Sequence, residues 1–187
     1  MNISYNKSSR SEGIEALCDR ASSEWGVDFT QLTGLDFFAR EGDWCSYILA
    51  NLLKEFQAWE INPAHEERLR SNLPPGSIIK IGDSFKLSSA LDSSSNFNVV
   101  LIDNPQGCFG DKTQYCEHFE ALPRALNLVS QNSFVFFNVK TEPFNYDRMP
   151  EWRRRRENFY HTKFTEKIPL DFLINFYIVY HNHNFYF

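Results

Sequence analysis

FNVVLIDNP, residues 97–105, is the stretch on which the fold of this chain turns. Its apolar residues are consecutive, Val99, Val100, Leu101 and Ile102, and the run stops at Asn104–Pro105. A strand that alternates apolar and polar has one wet face, whereas a continuous β-branched run is buried on both. Both faces must then be covered, which is the layout of a parallel sheet sandwiched between helices.

NSFVFFNVK (132–140) reads the same way, as do the shorter runs TGLDFFA (33–39), FQAWEI (56–61) and SIIKIGD (77–83). Helical spacing fills most of the gaps between them. Residues 13–32 carry Ile14, Leu17, Cys18, Ala21 and Trp25 at intervals of three and four. DWCSYILANLLKEF (43–56) lines up Trp44, Ile48, Leu52 and either Leu49 or Leu53 on one face. NPAHEERLRSNL (62–73) opens with an N-cap asparagine and a proline at the first helical position, and PPG (74–76) stops it. DSSSN (92–96) reads as a loop, and YCEHFEALPRALNLVS (115–130) as a helix interrupted or kinked near Pro123. The order is strand-helix-strand-helix-strand-loop-strand-helix-strand. With right-handed crossovers, that predicts an α/β, doubly wound, mostly parallel sheet with helices on both faces. Beyond residue 140, PEWRRRRENFYH (150–161) reads as a helix. Residues 168–187 fit either a helix running into a last strand or a hairpin turning near His181–Asn184.

The 187 residues suit one domain: a polar, mobile stretch over 1–12, then a single domain over 13–187 with its core at 33–140 and a C-terminal extension at 141–187. The net charge of −5 argues against gripping nucleic acid with the whole domain and leaves room for a local patch. The dense aromatics, 18 Phe, 8 Tyr and 4 Trp, suggest a surface for a protein partner. No 18-residue apolar run predicts a membrane span, and MNISYNKSSRSEG lacks the apolar core of a signal peptide. The four scattered cysteines read as reduced thiols, so a cytoplasmic location is expected.

In such sheets ligands bind outside the carboxyl ends of the strands, where the strand order reverses. Four successive strands deliver polar residues there: Asp36, then Glu60 (24 residues later), then Asp83, then Asp103–Asn104–Pro105. Each alone is an ordinary strand-end or cap residue; their order and spacing together bring them to one edge of the sheet, between Gly34 and Asp103. The G-x-G-x-x-G of nicotinamide-binding folds is absent. No metal is expected, because Cys108, Cys116 and His118 lack a paired C-x-x-C and His181-Asn182-His183 reads as a turn or surface stretch. Arg153–Arg156 spread around a helix, either as a solvated face paired with Glu151 and Glu157 or as a grip on phosphate or protein aided by Trp152, Tyr160 and Lys163.

On these residues the sequence resembles the class I S-adenosylmethionine (SAM)-dependent methyltransferases, over roughly residues 33–140. The resemblance implies a Rossmann-like fold and SAM as cofactor. It implies that Asp36, Phe38, Ala39 and Gly42 hold the methionine part, that Glu60 accepts the ribose hydroxyls, that Asp83 takes the adenine amino group, and that Ile61 and Phe85 sandwich the ring. Asp103, Asn104 and Pro105 look like the D/N-P-P-Y type motif of amino-methyltransferases, which would position an acceptor amine. Two departures stand out. The turn FAREG has one glycine where the family has two or three, with Arg40 either blocking the site or pairing with the cofactor carboxylate. Gln106 replaces the family's stacking aromatic, for which Phe109 is a substitute. Arg153 and Arg154 complete the substrate side. The expected function is methyl transfer to an amine, a nucleic-acid base being the favoured acceptor and a partner subunit supplying target recognition. The alternative is a methyltransferase-like binding or scaffold subunit without turnover.

Overall fold

The computed structural model describes residues 9–91, 96–102, 108–109, 115–137 and 150–160. They fall into two compact units. The first contains five parallel strands, β1 (Thr33–Asp36), β2 (Glu55–Glu60), β3 (Ile78–Ile81), β4 (Phe97–Ile102) and β7 (Val129–Phe137), in the order β3-β2-β1-β4-β7. The second contains a short antiparallel pair, β5 (Cys108–Phe109) with β6 (Tyr115–Cys116), and the helix α6 (Pro150–Tyr160), which packs on β5.

Strand alternation sorts the core of the first unit into two layers. Phe56, Ala58, Val99, Leu101, Phe134 and Phe136 point to one face, where they pack with Ile14, Cys18 and Ala21 of α1 (Ser9–Trp25), Leu49 of α2 (Cys45–Leu52) and Leu69 of α3 (Glu66–Asn72). Leu35, Phe37, Trp59 and Val100 point to the other and are equally buried, so that face is covered too. The remaining helices of the unit are α4 (Ser84–Ala90) and α5 (Glu117–Leu126, in this unit from His118 on). This is the doubly wound arrangement expected from the uninterrupted apolar strands.

Asn98 stitches the amino ends of three strands. Its Oδ1 accepts from the backbone N and Oγ1 of Thr33 on β1 at 3.1 and 3.2 Å, and its Nδ2 donates to Ser130 Oγ on β7 at 2.9 Å.

Several boundaries differ from those read in the sequence. α1 begins at Ser9, so residues 9–12 of the polar stretch are its first turn. The segment after Asp83, given no helix by the sequence, is α4. Its three serines have low helix propensity, and Ser88 and Ser89 donate back to the Phe85 carbonyl at 2.9 and 2.8 Å. α5 runs through Pro123 and ends at Leu126, so residues 127–130 are not helical as expected. β7 begins at Val129 and is bulged: it runs six residues, Val129 to Phe134, where β4 runs three, Phe97 to Val99. The Asn62–Pro63 start is as expected, with Asn62 Oδ1 accepting from Ala64 N at 3.0 Å, but the first turn is 3-10 over Pro63–His65. Residues 168–187 lie outside the described residues, and no described helix is long and apolar enough to cross a membrane.

Gly34 of β1 faces Leu53, just past the end of α2, and Phe56 of β2. A Cβ there would collide with Leu53 Cδ1 and sit 3.2 Å from Phe56 Cδ2, both core side chains. Gly34→Ala is therefore expected to lower unfolding free energy by about 1–3 kcal/mol through overpacking. Urea denaturation checks it, and an unchanged midpoint would show that the Leu53 side chain moves aside without cost.

Candidate functional site

The strand register brings the acidic tips to one rim. Asp36 is level with Ala58 of β2 and Leu101 of β4, and Glu60, two residues past Ala58, is level with Ile81, two residues before Asp83. Between β1 and β4 the strand order reverses, the switch point at which open α/β sheets form their crevice. Sheet-like hydrogen bonds continue past the strand ends: Phe37 N donates to Leu101 O at 3.1 Å, Ala39 N to Trp59 O at 2.9 Å and Gly82 N to Glu60 O at 2.8 Å. The loops after β1 and β3 are thus held by the sheet itself.

Glu60 is only 7% exposed, and both its oxygens accept backbone N–H groups. Oε2 takes Arg40 N at 2.8 Å and Oε1 takes Asn62 N at 2.7 Å. A carboxylate has about four acceptor positions, so these bonds use half of them. Arg40 sits at φ 51°, in the left-handed region, inside a turn closed by Gly42 N donating to Ala39 O at 2.8 Å. Its guanidinium lies over the Trp44 ring, 5.1 Å from the centroid. Gly42 is also left-handed, at φ 67°, and a Cβ on it would meet Leu69 Cδ1 of α3 at 2.7 Å.

Asp36 is 1% exposed. Its Oδ1 accepts from Phe38 N at 2.9 Å and its Oδ2 from Ser46 Oγ at 2.5 Å, which fastens the end of β1 to the first turn of α2. Asp83 caps α4, its Oδ1 accepting from Phe85 N at 2.9 Å. The Phe38 and Phe85 rings meet edge to face at 6.2 Å. Ile61, just past Glu60, is 65% exposed, a large apolar side chain presented at the rim. Phe85 is held from behind by Arg124 of α5, whose guanidinium lies 5.1 Å from the ring centroid and donates to Ser89 Oγ at 2.9 Å.

Glu41 ties the same turn to α3. Its Oε2 accepts from Arg68 Nη1 at 2.9 Å, His65 Nδ1 stands 3.4 Å from Oε1, and its backbone carbonyl accepts from Asn72 Nδ2 at 2.8 Å. The hydrogen bond from Arg68, aided by the positive charges of Arg68, Arg40 and His65, holds the Glu41 carboxyl below its ordinary value of 4.5 against the opposing effect of desolvation.

The structure therefore gathers Asp36, Phe38, Ala39, Arg40, Gly42, Glu60, Ile61, Asp83 and Phe85 around the carboxyl ends of β1, β2 and β3. Asp103, Asn104, Pro105 and Gln106 lie outside the described residues. Phe109 belongs to β5 of the second unit. Arg153 and Arg154 are on α6 of that unit, where each has an acidic neighbour: Arg153 Nε donates to Glu157 Oε1 at 3.0 Å and Arg154 Nη2 to Glu151 Oε1 at 2.7 Å. The tasks of three supporting residues are not evident from the sequence. Ser46 and Asn62 carry only the generic signals of a first turn and an N-cap, and Arg124 is one charge on an amphipathic helix; only tertiary contact reveals that they hold Asp36, Glu60 and Phe85.

Among solved structures of similar fold, a candidate O-methyltransferase from Klebsiella pneumoniae superposes with a TM-score of 0.53 at 14% identity, over 83% of this chain and 69% of that one. The fold is that of the class I methyltransferases. A second methyltransferase-fold neighbour, an aminopentose methyltransferase from Micromonospora echinaspora solved with SAM bound, gives 0.51 at 16% identity over 73% of this chain and 54% of its own length. A third, named as a precorrin 8w decarboxylase from Methanobacterium thermoautotrophicum, gives 0.52 at 12% identity over 82% and 74%. No protein-family model and no curated protein matches the sequence.

Two outcomes follow from the geometry of the turn. Because the folded-state pKa of Glu41 is depressed, its contribution to stability is full above the ordinary carboxylate value of 4.5 and is lost as pH falls through the lower folded value. Melting temperature in Glu41→Gln should fall less steeply than in the parent on acidification below that value, and the difference should shrink in high salt because Arg68 is 72% exposed. Parallel pH profiles would exclude the pair as a contributor. At Arg40, left-handed strain of about 1–2 kcal/mol works against a cation–π contact of about 0.5–1 kcal/mol and the entropy cost of a glycine, also about 0.5–1 kcal/mol. Arg40→Gly should accordingly leave stability within about 1 kcal/mol of the parent, while Arg40→Val, β-branched at positive φ, should lose more than that by chemical denaturation.

Proposed function

We propose that the chain binds SAM at the rim formed by β1, β2 and β3 and transfers its methyl group to an amine, a nucleic-acid base being the favoured acceptor. The observation that carries this reading is the parallel register that puts Asp36, Glu60 and Asp83 at one edge beside the strand-order reversal. The residues present fit the group. Glu60 keeps acceptor positions beyond the two used by backbone amides, matching the paired hydroxyls of a ribose. The exposed Ile61 and the half-buried Phe85 are suited to flank an adenine, and Asp83 to accept from its amino group. The Arg40 guanidinium, resting on Trp44, is long enough to meet the carboxylate of the methionine part.

When bound, SAM supplies a methyl group already activated on a sulfonium, so the protein's task is alignment and electrostatics. In this reading Asp103, Asn104 and the Pro105 turn accept the protons of the acceptor amine and aim its lone pair. Gln106 and Phe109 border the acceptor, and Arg153 and Arg154 contact a phosphate backbone once they exchange their glutamate partners for it. The cytoplasmic location and the partner subunit for target recognition belong to the same reading.

One observation favours a second reading, a binding or scaffold subunit without turnover. A side chain stands at Arg40 where the family has glycine, and its backbone N–H already occupies Glu60. Thermal shift with SAM or S-adenosylhomocysteine decides whether the rim binds the cofactor. At a concentration 100-fold above Kd the stabilisation should be about 2.7 kcal/mol. Glu60→Ala should lower the ligand-free melting temperature, by leaving two amides unpaired, and should abolish the ligand-dependent increment above its own baseline. No increment in the parent at millimolar ligand would refute cofactor binding. Methyl transfer to DNA, RNA or protein, lost in Asn104→Ala while the increment persists, supports the enzyme; an increment with no transfer to any of them supports the scaffold.

A further inference from the structure

We infer that Cys108 and Cys116 form a reversible cross-strand disulfide, a redox-sensitive modification site on the β5–β6 ladder. The inference rests on register and is independent of the methyl-transfer reading. In the antiparallel pairing Cys108 is the Cα partner of Cys116, and Phe109 of Tyr115. Directly opposed residues share one face of the ladder, with Cα atoms about 5.5 Å apart at a hydrogen-bonded pair and about 4.5 Å at a non-hydrogen-bonded one. A disulfide accepts Cα separations of about 4.4–6.8 Å. Either pair type falls within that Cα range, so the register places the two cysteines within bridging distance. Chance does not favour such an arrangement: the chain has four cysteines, and two occupy facing positions of a ladder only two pairs long.

The other two cysteines are poor competitors. Cys18 and Cys45 are buried among core residues of the first unit. Burial, with the neighbouring Asp19 carboxylate, pushes the Cys18 thiol up to about 12, so it supplies little of the thiolate that exchange requires.

Glutathione disulfide serves as the oxidant. One cysteine thiolate attacks it, its S–S bond breaks, and one glutathione leaves as a thiol. The second cysteine then attacks the mixed disulfide and releases the second glutathione thiol. The protein loses two protons and two electrons, and the oxidant gains them. The bridge locks the ladder on which α6, the arginine-bearing helix, packs. In sequence the ladder begins two residues after Gln106.

The test treats the full-length protein with glutathione disulfide, removes the excess, and follows intact mass and non-reducing peptide maps. The expected result is a loss of two hydrogens, a linked peptide pair containing Cys108 and Cys116, and full reversal by dithiothreitol. C108S and C116S should each abolish the linkage and retain a glutathione adduct on the remaining cysteine of the pair. Stable adducts on both cysteines of the parent without linkage, bridges to Cys18 or Cys45, or complete alkylation of both thiols after treatment would each overturn the inference. The parent's own peptide map is decisive even where a serine variant folds poorly.

Discussion

A buried carboxylate anchored by two backbone amides holds the acidic rim of the sheet together. Glu60 ends β2, yet its partners belong to the turn after β1 and to the turn that starts the next helical segment. Burying an ion of that kind is costly unless its oxygens are satisfied, and charge-assisted N–H bonds are among the stronger ways to do so. The bond to Arg40 has a second effect. It rewards a left-handed conformation that an arginine otherwise avoids, so strain at one residue is offset by an acceptor on the neighbouring strand. From that turn the constraint spreads outward. Gly42 brings the backbone against Leu69 and Leu73, and Glu41 reaches Arg68 and Asn72 on α3.

Asp36 works in the same manner one strand over, joining β1 to α2 through Ser46 while holding the amide of Phe38. Asp83 does so at α4. Each acid at the rim thus has a structural task before any ligand arrives. Such double use does not disqualify a binding site. Groups locked by their own hydrogen bonds lose little freedom when a ligand adds another, and the cost of ordering the site is met on folding. Three carboxylates gathered at one edge also make favourable surroundings for a cation, and the cofactor proposed here carries a sulfonium. Ser46, Asn62 and Arg124 are positioning residues in this scheme, which hold the acids and the Phe85 ring in place.

What the sequence discloses, and what it hides, follows the range of the forces involved. Uninterrupted apolar runs such as Val99–Ile102 announce a doubly covered strand because burial on both faces is a local demand on composition, and the Asn62–Pro63 cap is a two-residue signal. α4 is hidden because its stability is not local: its serines argue for a loop, and the helix persists through the Asp83 cap and through Arg124, which reaches across from α5. The bulge that starts β7 three residues early is likewise a matter of pairing with β4. At the rim, the acids are legible from their place at strand ends. Their hydrogen-bond partners are not, because Glu60 and Arg40 are twenty residues apart and meet only when β1 and β2 pair.

The fold narrows the function less than the rim does. Structures of this shape at 12–16% identity bear names as different as methyltransferase and decarboxylase, so shape cannot choose among chemistries. The choice rests on the FAREG turn. A glycine turn lets a ligand approach bare backbone, whereas here the approach passes a guanidinium whose resting place is an indole face. That contact is worth about 1 kcal/mol at an exposed site, small beside the ion pair a ligand carboxylate could offer in a cleft from which water is displaced. An arginine so weakly held is better suited to leave Trp44 for an incoming anion than to bar its entry. Of the two roles open to Arg40, the pairing role therefore has the stronger physical case, and with it the proposal that this rim still holds a charged nucleoside.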